Sequence, residues 1–376
     1  MKKSIYLDYA SATPLDSRVF KLMHPFFSKI FANPSSIHSL GQEAHAAVDK
    51  SRAQVASLLH AKPEEIIFTS GGTESINLAL KGIASQKGKG HIIVSQIEHP
   101  AVLETCKYLE SKGFSVTYLE VDRFGLISVK KLEKAICSDT ILISIIYANN
   151  EIGTIQSLSD IGKIAERHKI PFHTDACQAG LLDLNVETLN VDLMTLNGSK
   201  IYGPKDVGIL YKRSSVSLEP LLHGGYQEFG FRSGTENVAG IIGFAEALRL
   251  LFLNKRKEAK RLQSLRDYFI AEVLRKISGT SLIGHPTKRI PGNVSISFEG
   301  VEAEVLLQHL NQQGIYVSTG SACSSQQIEQ SKVLKAISVP ENVGTIRFSL
   351  GKGTKKADLQ YVILTLRNLI SSLRKI

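Results

Sequence analysis

Leu196-Asn197-Gly198-Ser199-Lys200-Ile201-Tyr202-Gly203-Pro204-Lys205 decides the reading of this chain. An apolar, strand-like run ends in a Gly-rich turn, and the turn carries Lys200. A second apolar run upstream ends in Asp175-Ala176-Cys177-Gln178. A lysine amine on such a turn can form a Schiff base with an aldehyde. An aspartate ending an earlier strand can keep a pyridine nitrogen protonated, which makes the ring an electron sink. The pair points to pyridoxal 5'-phosphate and to amino-acid chemistry.

Outward from this turn, short apolar runs alternate with segments of helical spacing. Residues 66–69, 92–95, 116–119, 141–147, 171–174, 192–195 and 208–211 read as strands. Residues 74–84, a stretch from about 101, and 158–168 read as helices. Such alternation predicts an α/β fold, a mostly parallel sheet covered on both faces. Ligands of such sheets sit beyond the carboxyl ends of strands. After Asn237 the pattern changes. Residues 238–277 read as nearly continuous helix with a basic stretch at 255–261, either a docking surface or a solvated face. Beyond 291 the expected order is strand 294–298, helix 303–311, strand 315–318, a loop, strand 345–350 and helix 357–373. That is a compact α+β layout. The expected division is a large domain over 15–240 and a small domain from 1–14 with 241–376. No internal repeat or low-complexity segment interrupts it.

The 376 residues are 43% hydrophobic and 21% charged, as in ordinary globular proteins. A formal charge of +10 suits an acidic partner or simply a basic surface. No aromatic-studded basic motif argues for direct nucleic-acid binding. The four cysteines form no CxxC pair, so neither zinc nor a disulfide framework is expected. Cys106, Cys137 and Cys177 are read as buried, inert thiols. No apolar run reaches signal-peptide or membrane-span length, and the expected location is cytoplasmic.

Five further segments carry chemistry. Thr69-Ser70-Gly71-Gly72-Thr73-Glu74-Ser75 joins a strand to a helix, where backbone N–H groups and the Thr73 hydroxyl can hold a phosphate. It lacks the lysine of a Walker loop, and the plainer reading is a capped turn. His99, in Glu98-His99-Pro100, can stack on a ring and move protons, or be structural. Ala148-Asn149-Asn150-Glu151-Ile152-Gly153 offers amides to a cofactor or a carboxylate, or is an Asn-rich turn. Arg347, in Thr345-Ile346-Arg347-Phe348-Ser349, suits bidentate carboxylate binding or a plain ion pair. Ser318-Thr319-Gly320-Ser321-Ala322-Cys323-Ser324-Ser325 surrounds one cysteine with small residues, which favours an exposed, reactive thiol.

Together, and with Tyr6-Leu7-Asp8-Tyr9 and Asn33-Pro34-Ser35-Ser36-Ile37-His38, these segments resemble the class V, fold type I enzymes dependent on pyridoxal phosphate. They are most similar to the cysteine desulfurases of the NifS/IscS type. The resemblance implies a seven-stranded-type, mostly parallel sheet in the large domain and a small α+β C-terminal domain. It implies that L-cysteine becomes L-alanine while a persulfide forms on Cys323. Lys200 is then the cofactor lysine and base, Asp175 the pyridine partner, Gln178 the partner of the ring hydroxyl, and His99 the stacked residue. Gly72 and Thr73 hold the phosphate, and Asn150 and Arg347 the substrate carboxylate, Asn150 also facing the cofactor. Thr235, in Arg232-Ser233-Gly234-Thr235-Glu236-Asn237, reaches the neighbouring subunit's phosphate in a homodimer. Sulfur goes to an acceptor such as an iron–sulfur scaffold or a tRNA-thiolation protein.

Three positions depart from the family pattern. Ser199 stands where histidine is usual, Asn197 where serine is usual, and Tyr226 where glycine is usual. The first two ordinarily contact the phosphate, so weaker cofactor retention is expected. The alternatives are a selenocysteine lyase or another class V lyase or aminotransferase, for which a thiol loop has no use, and a non-catalytic scaffold of the same fold.

Overall fold

A computed structural model describes residues 4–319 and 331–374. In chain order its elements are β1 (Ile5–Tyr6), α1 (Ser17–Met23), α2 (Ser39–Leu59), β2 (Ile66–Thr69), α3 (Gly72–Lys87), β3 (His91–Ser95) and α4 (Pro100–Glu110). Then come β4 (Ser115–Leu119), α5 (Val129–Ala135), β5 (Thr140–Ser144), α6 (Leu158–His168), β6 (Phe172–Asp175), α7 (Val186–Leu189), β7 (Leu193–Asn197) and β8 (Gly208–Lys212). The remainder is α8 (Val238–Lys276), β9 (Thr280–Leu282), β10 (Asn293–Glu299), α9 (Ala303–Gln312), β11 (Ile315–Tyr316), β12 (Ser318–Thr319), α10 (Lys332–Ala336), β13 (Val343–Ser349) and α11 (Lys356–Leu373).

The central sheet has seven strands in the order β2-β8-β7-β6-β5-β3-β4. β4, β3, β5, β6 and β7 run parallel, and β8 is antiparallel to both of its neighbours. This is the seven-stranded, mostly parallel sheet that the resemblance implied. Side chains alternate across the sheet, as the two-residue period of a strand requires. Phe68, Ile93, Ile143 and Met194 pack into the core on one face. Ile67, Ile92, Leu142 and Leu193 pack into the core on the other. Both faces are therefore dry, and the polar chemistry is left to the strand ends.

A second sheet, β12-β13-β10-β9, packs with α9 and α11 around a separate core. The 39-residue helix α8 serves both units. Leu248 and Leu251 enter the large core, whereas Leu262, Phe269 and Val273 enter the smaller one. The strand expected over 315–318 is two strands. β11 pairs parallel with β1, and β12 pairs antiparallel with β13, so the chain changes sheets at Val317. One expectation about cysteines is corrected. Cys137 is exposed, because it sits in the turn between α5 and β5, where its N–H bonds Thr140 Oγ1. Among the described residues no helix is long and apolar enough to cross a membrane.

Candidate active site

Lys200 ends a single 3-10 turn, Gly198–Lys200, directly after β7. The turn is tight because Gly198 has no room for a side chain. A Cβ there would lie 2.7 Å from the carbonyl oxygen of Pro204. Asn197 caps the turn, accepting from Ser199 N at 3.1 Å. Asp175 ends the adjacent strand β6, is buried, and accepts from Cys177 N at 2.9 Å. His99 follows β3 and caps α4, its Nδ1 accepting from Ala101 N. That bond leaves the ring proton on Nε2 when the ring is neutral. Burial, helped by the charge of Lys200, lowers the His99 pKa, and Asp175 works against the shift. The sheet thus brings Lys200, Asp175 and His99 into one electrostatic neighbourhood.

The N-terminal segment binds these parts together, and the sequence did not reveal this. Lys200 Nζ donates to the carbonyls of Ala10 and Ser11. Gln178 Nε2 donates to Ala10 O at 2.8 Å, which leaves its amide oxygen as an acceptor. Thr13 donates from both N–H and hydroxyl to Ser199 O, and its hydroxyl accepts from Tyr202 N. Asp8 Oδ1 accepts from Arg347 Nη2 at 2.8 Å, and Ser11 Oγ accepts from the same nitrogen at 2.8 Å. The motif Tyr6-Leu7-Asp8-Tyr9 was the only signal, and it showed no function for the small residues after it.

Arg347 lies buried in β13 and also donates to Asn150 O at 3.1 Å. Its Nε has no partner among the described residues. A buried, unpaired guanidinium N–H fits an anionic ligand arriving there. Of the two asparagines, Asn149 is structural. Its amide bonds Ile97 O and the backbone of Glu151 and Ile152. Asn150 is only partly buried, at the rim beside Arg347.

The start of α3 tests the fit of a phosphate. Gly71 has φ 150°, and no side chain caps the helix. A Cβ on Gly72 would lie 2.9 Å from Cys177 Sγ and 3.6 Å from Asn197 Nδ2. Only glycine leaves this cradle open. Thr73 is exposed beside it. The two departures noted above form a pair, since Ser199 Oγ donates to Asn197 Oδ1 at 3.1 Å. Asn197 Nδ2 is thereby turned toward Gly71 and Gly72. A buried carboxylate, a lysine, an imidazole and an uncapped helix start fit pyridoxal phosphate.

Behind His99, Glu98 is fully buried. It accepts from Ser95 Oγ and Ile146 N, while its Oε2 has no partner among the described residues. Burial, and to a lesser degree Asp175, push its pKa up to about 8. Thr235 is exposed, on a segment pinned to α3 by the Arg232–Glu74 ion pair. Cys323 lies outside the described residues. The site therefore joins Lys200, Asp175, His99, Gln178, Gly72, Asn197, Ser199, Arg347 and Asn150, with Thr235 at the surface.

Residues 5–362 match the aminotransferase class-V family. The chain belongs to that family. It is 52% identical to a cysteine desulfurase IscS of Dictyoglomus turgidum, over 100% of this chain and 97% of the relative. A solved NifS-like protein superposes with a TM-score of 0.92 at 38% identity, covering 98% of this chain and 100% of that one. SspA in complex with cysteine superposes with a TM-score of 0.83 at 38% identity, covering 92% and 99%. Within its family the chain is a cysteine desulfurase of the IscS/NifS type, an enzyme that uses pyridoxal 5'-phosphate.

Proposed function

We propose that this cysteine desulfurase uses Cys323 as the sulfur acceptor and Lys200 as the base, with Arg347 and Asn150 orienting L-cysteine by its carboxylate. When bound, pyridoxal phosphate supplies an electron sink for the carbon that bears the amino group. The observation that carries the reading is the convergence of Lys200, Asp175 and His99 beyond the ends of β7, β6 and β3 of one sheet, with the buried Nε of Arg347 unpaired among the described residues. Asp175 holds the pyridine nitrogen, and the amide oxygen of Gln178 accepts from the ring hydroxyl. The ring of His99, neutral because of burial, stacks on the cofactor and relays a proton. Gly72, Thr73, Asn197 and Ser199 hold the phosphate. The thiolate of Cys323 attacks the substrate sulfur. An S–S bond forms as the C–S bond breaks, and the former sulfur-bearing carbon gains a proton. L-cysteine and a thiol thus become L-alanine and a persulfide, with carbon reduced and sulfur oxidised.

A homodimer is part of the proposal. Ile37, Leu40, Tyr226 and Phe229 are exposed, Tyr226 by 94%. Tyr226 and Phe229 line a groove of about 430 Å³ between α2 and the 226–229 segment, which Glu236, next to Thr235, also lines. An apolar surface of this kind marks a protein contact. It lies where Thr235 could cross to a second subunit's phosphate. The division of the chain at residue 240, the cytoplasm as location, and an iron–sulfur scaffold or tRNA-thiolation protein as acceptor complete the reading.

The test is release of L-alanine and sulfide from L-cysteine by purified protein with pyridoxal phosphate and a thiol reductant, beside Cys323→Ala. Stoichiometric products lost in the variant are expected. Turnover that survives in Cys323→Ala overturns the role of Cys323 and points to a lyase acting directly on the substrate.

A further inference from the structure

Residues 320–330, which include Cys323, are flanked by two described stems. On the N-terminal side, β12 pairs with β13 so that Ser318 lies opposite Arg347. On the C-terminal side, Ser331 opens α10. Its hydroxyl accepts from Val333 N at 3.1 Å and donates to Glu151 Oε2 at 2.5 Å. Glu151 adjoins Asn150, whose carbonyl accepts from Arg347 Nη1. Both stems thus end on the residues around Arg347.

The contact at Ser331 is built from more than one bond. Val333, Leu334 and Ile337 pack with Ile97, Ile146 and Ile152 in a small separate core. Ile97 precedes Glu98-His99, and Ile146 N bonds Glu98, so this core backs the cofactor wall. At its exposed edge Lys332 pairs with Glu104 at 3.1 Å. The apolar residues press α10 onto the large unit but do not fix its position along the surface, because apolar contact is not directional. The Ser331–Glu151 bond supplies direction.

We propose that Glu151 and Ser331 are a positioning pair that sets where the Cys323-bearing segment rejoins the fold beside Arg347. The pair acts on sulfur transfer and not on substrate binding. The inference rests on Cys323 being the sulfur acceptor. Burial pushes the Glu151 carboxyl up to about 7, while the Ser331 hydroxyl and the Arg347 charge oppose that shift. A cap for a five-residue helix needs no buried carboxyl, since Ser331 already caps it alone.

The experiment follows persulfide on Cys323 by mass spectrometry in single turnovers of the holoenzyme with L-cysteine. Ser331→Ala should slow persulfide formation about fivefold to tenfold, the loss of roughly one hydrogen bond. KM for L-cysteine and cofactor absorbance should not change, because the Ser331 side chain bonds Glu151 and Val333 N rather than a proposed substrate or cofactor ligand. Ser331→Thr, which keeps the hydroxyl, should restore the rate. Glu151→Ala combined with Ser331→Ala should form persulfide no more slowly than Glu151→Ala alone. Wild-type persulfide formation in Ser331→Ala, no rescue by threonine, or additive losses in the double variant would each overturn the proposal. Cys323→Ala separates the two readings. Wild-type turnover there defeats the role of Cys323, whereas a dead Cys323→Ala with an unaffected Ser331→Ala defeats only the positioning pair.

Discussion

The proposed cofactor wall and the proposed substrate wall of this site are built in different ways. Asp175, His99 and Lys200 sit at the ends of β6, β3 and β7, strands of one sheet with a dry core on each face. Arg347 is held by Asp8, Ser11 and Asn150, from parts of the chain hundreds of residues apart. The first wall inherits its geometry from the sheet. The second exists only when the N-terminal segment, the turn after β5 and the small unit meet. Damage to the first wall should therefore cost chemistry, and damage to the second should cost substrate affinity.

The largest effect breaks the comparison most directly. Lys200→Ala should reduce turnover roughly a thousandfold or more, the scale of a lost proton-transfer group. Arg347→Ala should keep the cofactor spectrum and raise KM for L-cysteine roughly tenfold to a hundredfold, as expected for charge-assisted bonds. Steady-state kinetics of both variants decide the matter. A fall in kcat alone for Arg347→Ala would place Arg347 in the chemistry and erase the distinction.

Glu98 sharpens it on the side of stability. The folded state holds its proton up to about pH 8, whereas an unfolded chain releases it at the ordinary carboxyl value. The stabilisation from keeping this acid neutral is whole below that ordinary value and is lost as pH rises through about 8. The loss is on the order of 5 kcal/mol. The Tm of the wild type should fall between pH 5 and pH 8.5 by several degrees more than that of Glu98→Gln, which cannot ionise. Parallel curves for the two would mean that Glu98 does not titrate in this window. A neutral Glu98 also leaves Asp175 without a second negative charge beside it.

The same division governs what could be read from sequence. Lys200, Asp175 and His99 were legible because each follows an apolar run and carries one kind of chemistry. The helix Leu158–His168 was legible to the residue because its apolar positions repeat cleanly. α2 was not, since its buried face includes Gly41, Ala44 and Ser51 and so gives a weak pattern. Ala10, Ser11 and Thr13 gave no signal either, because they act through backbone carbonyls and two short hydroxyls. Local spacing also does not encode the meeting of Glu151 with Ser331, which depends on how two units pack.

The smallest effect concerns the phosphate end of the cofactor wall. Ser199 and Asn197, taken one at a time, suggested a weakened grip. The structure shows them bonded to each other, with the serine hydroxyl fixing the amide so that Nδ2 faces the start of α3. In the proposed arrangement Asn197 is the donor toward phosphate and Ser199 orients it. Asn197→Ala should then weaken pyridoxal phosphate binding about fivefold to tenfold, the worth of roughly one ordinary hydrogen bond. Ser199→Ala should weaken it less, since Ser199 N still donates to Asn197 Oδ1. Ser199→His restores a longer, potentially cationic donor and should tighten binding by a few fold. Titration of apoenzyme with pyridoxal phosphate, read by cofactor absorbance, ranks the three. A larger loss in Ser199→Ala than in Asn197→Ala would reverse the roles and make the serine hydroxyl the phosphate ligand.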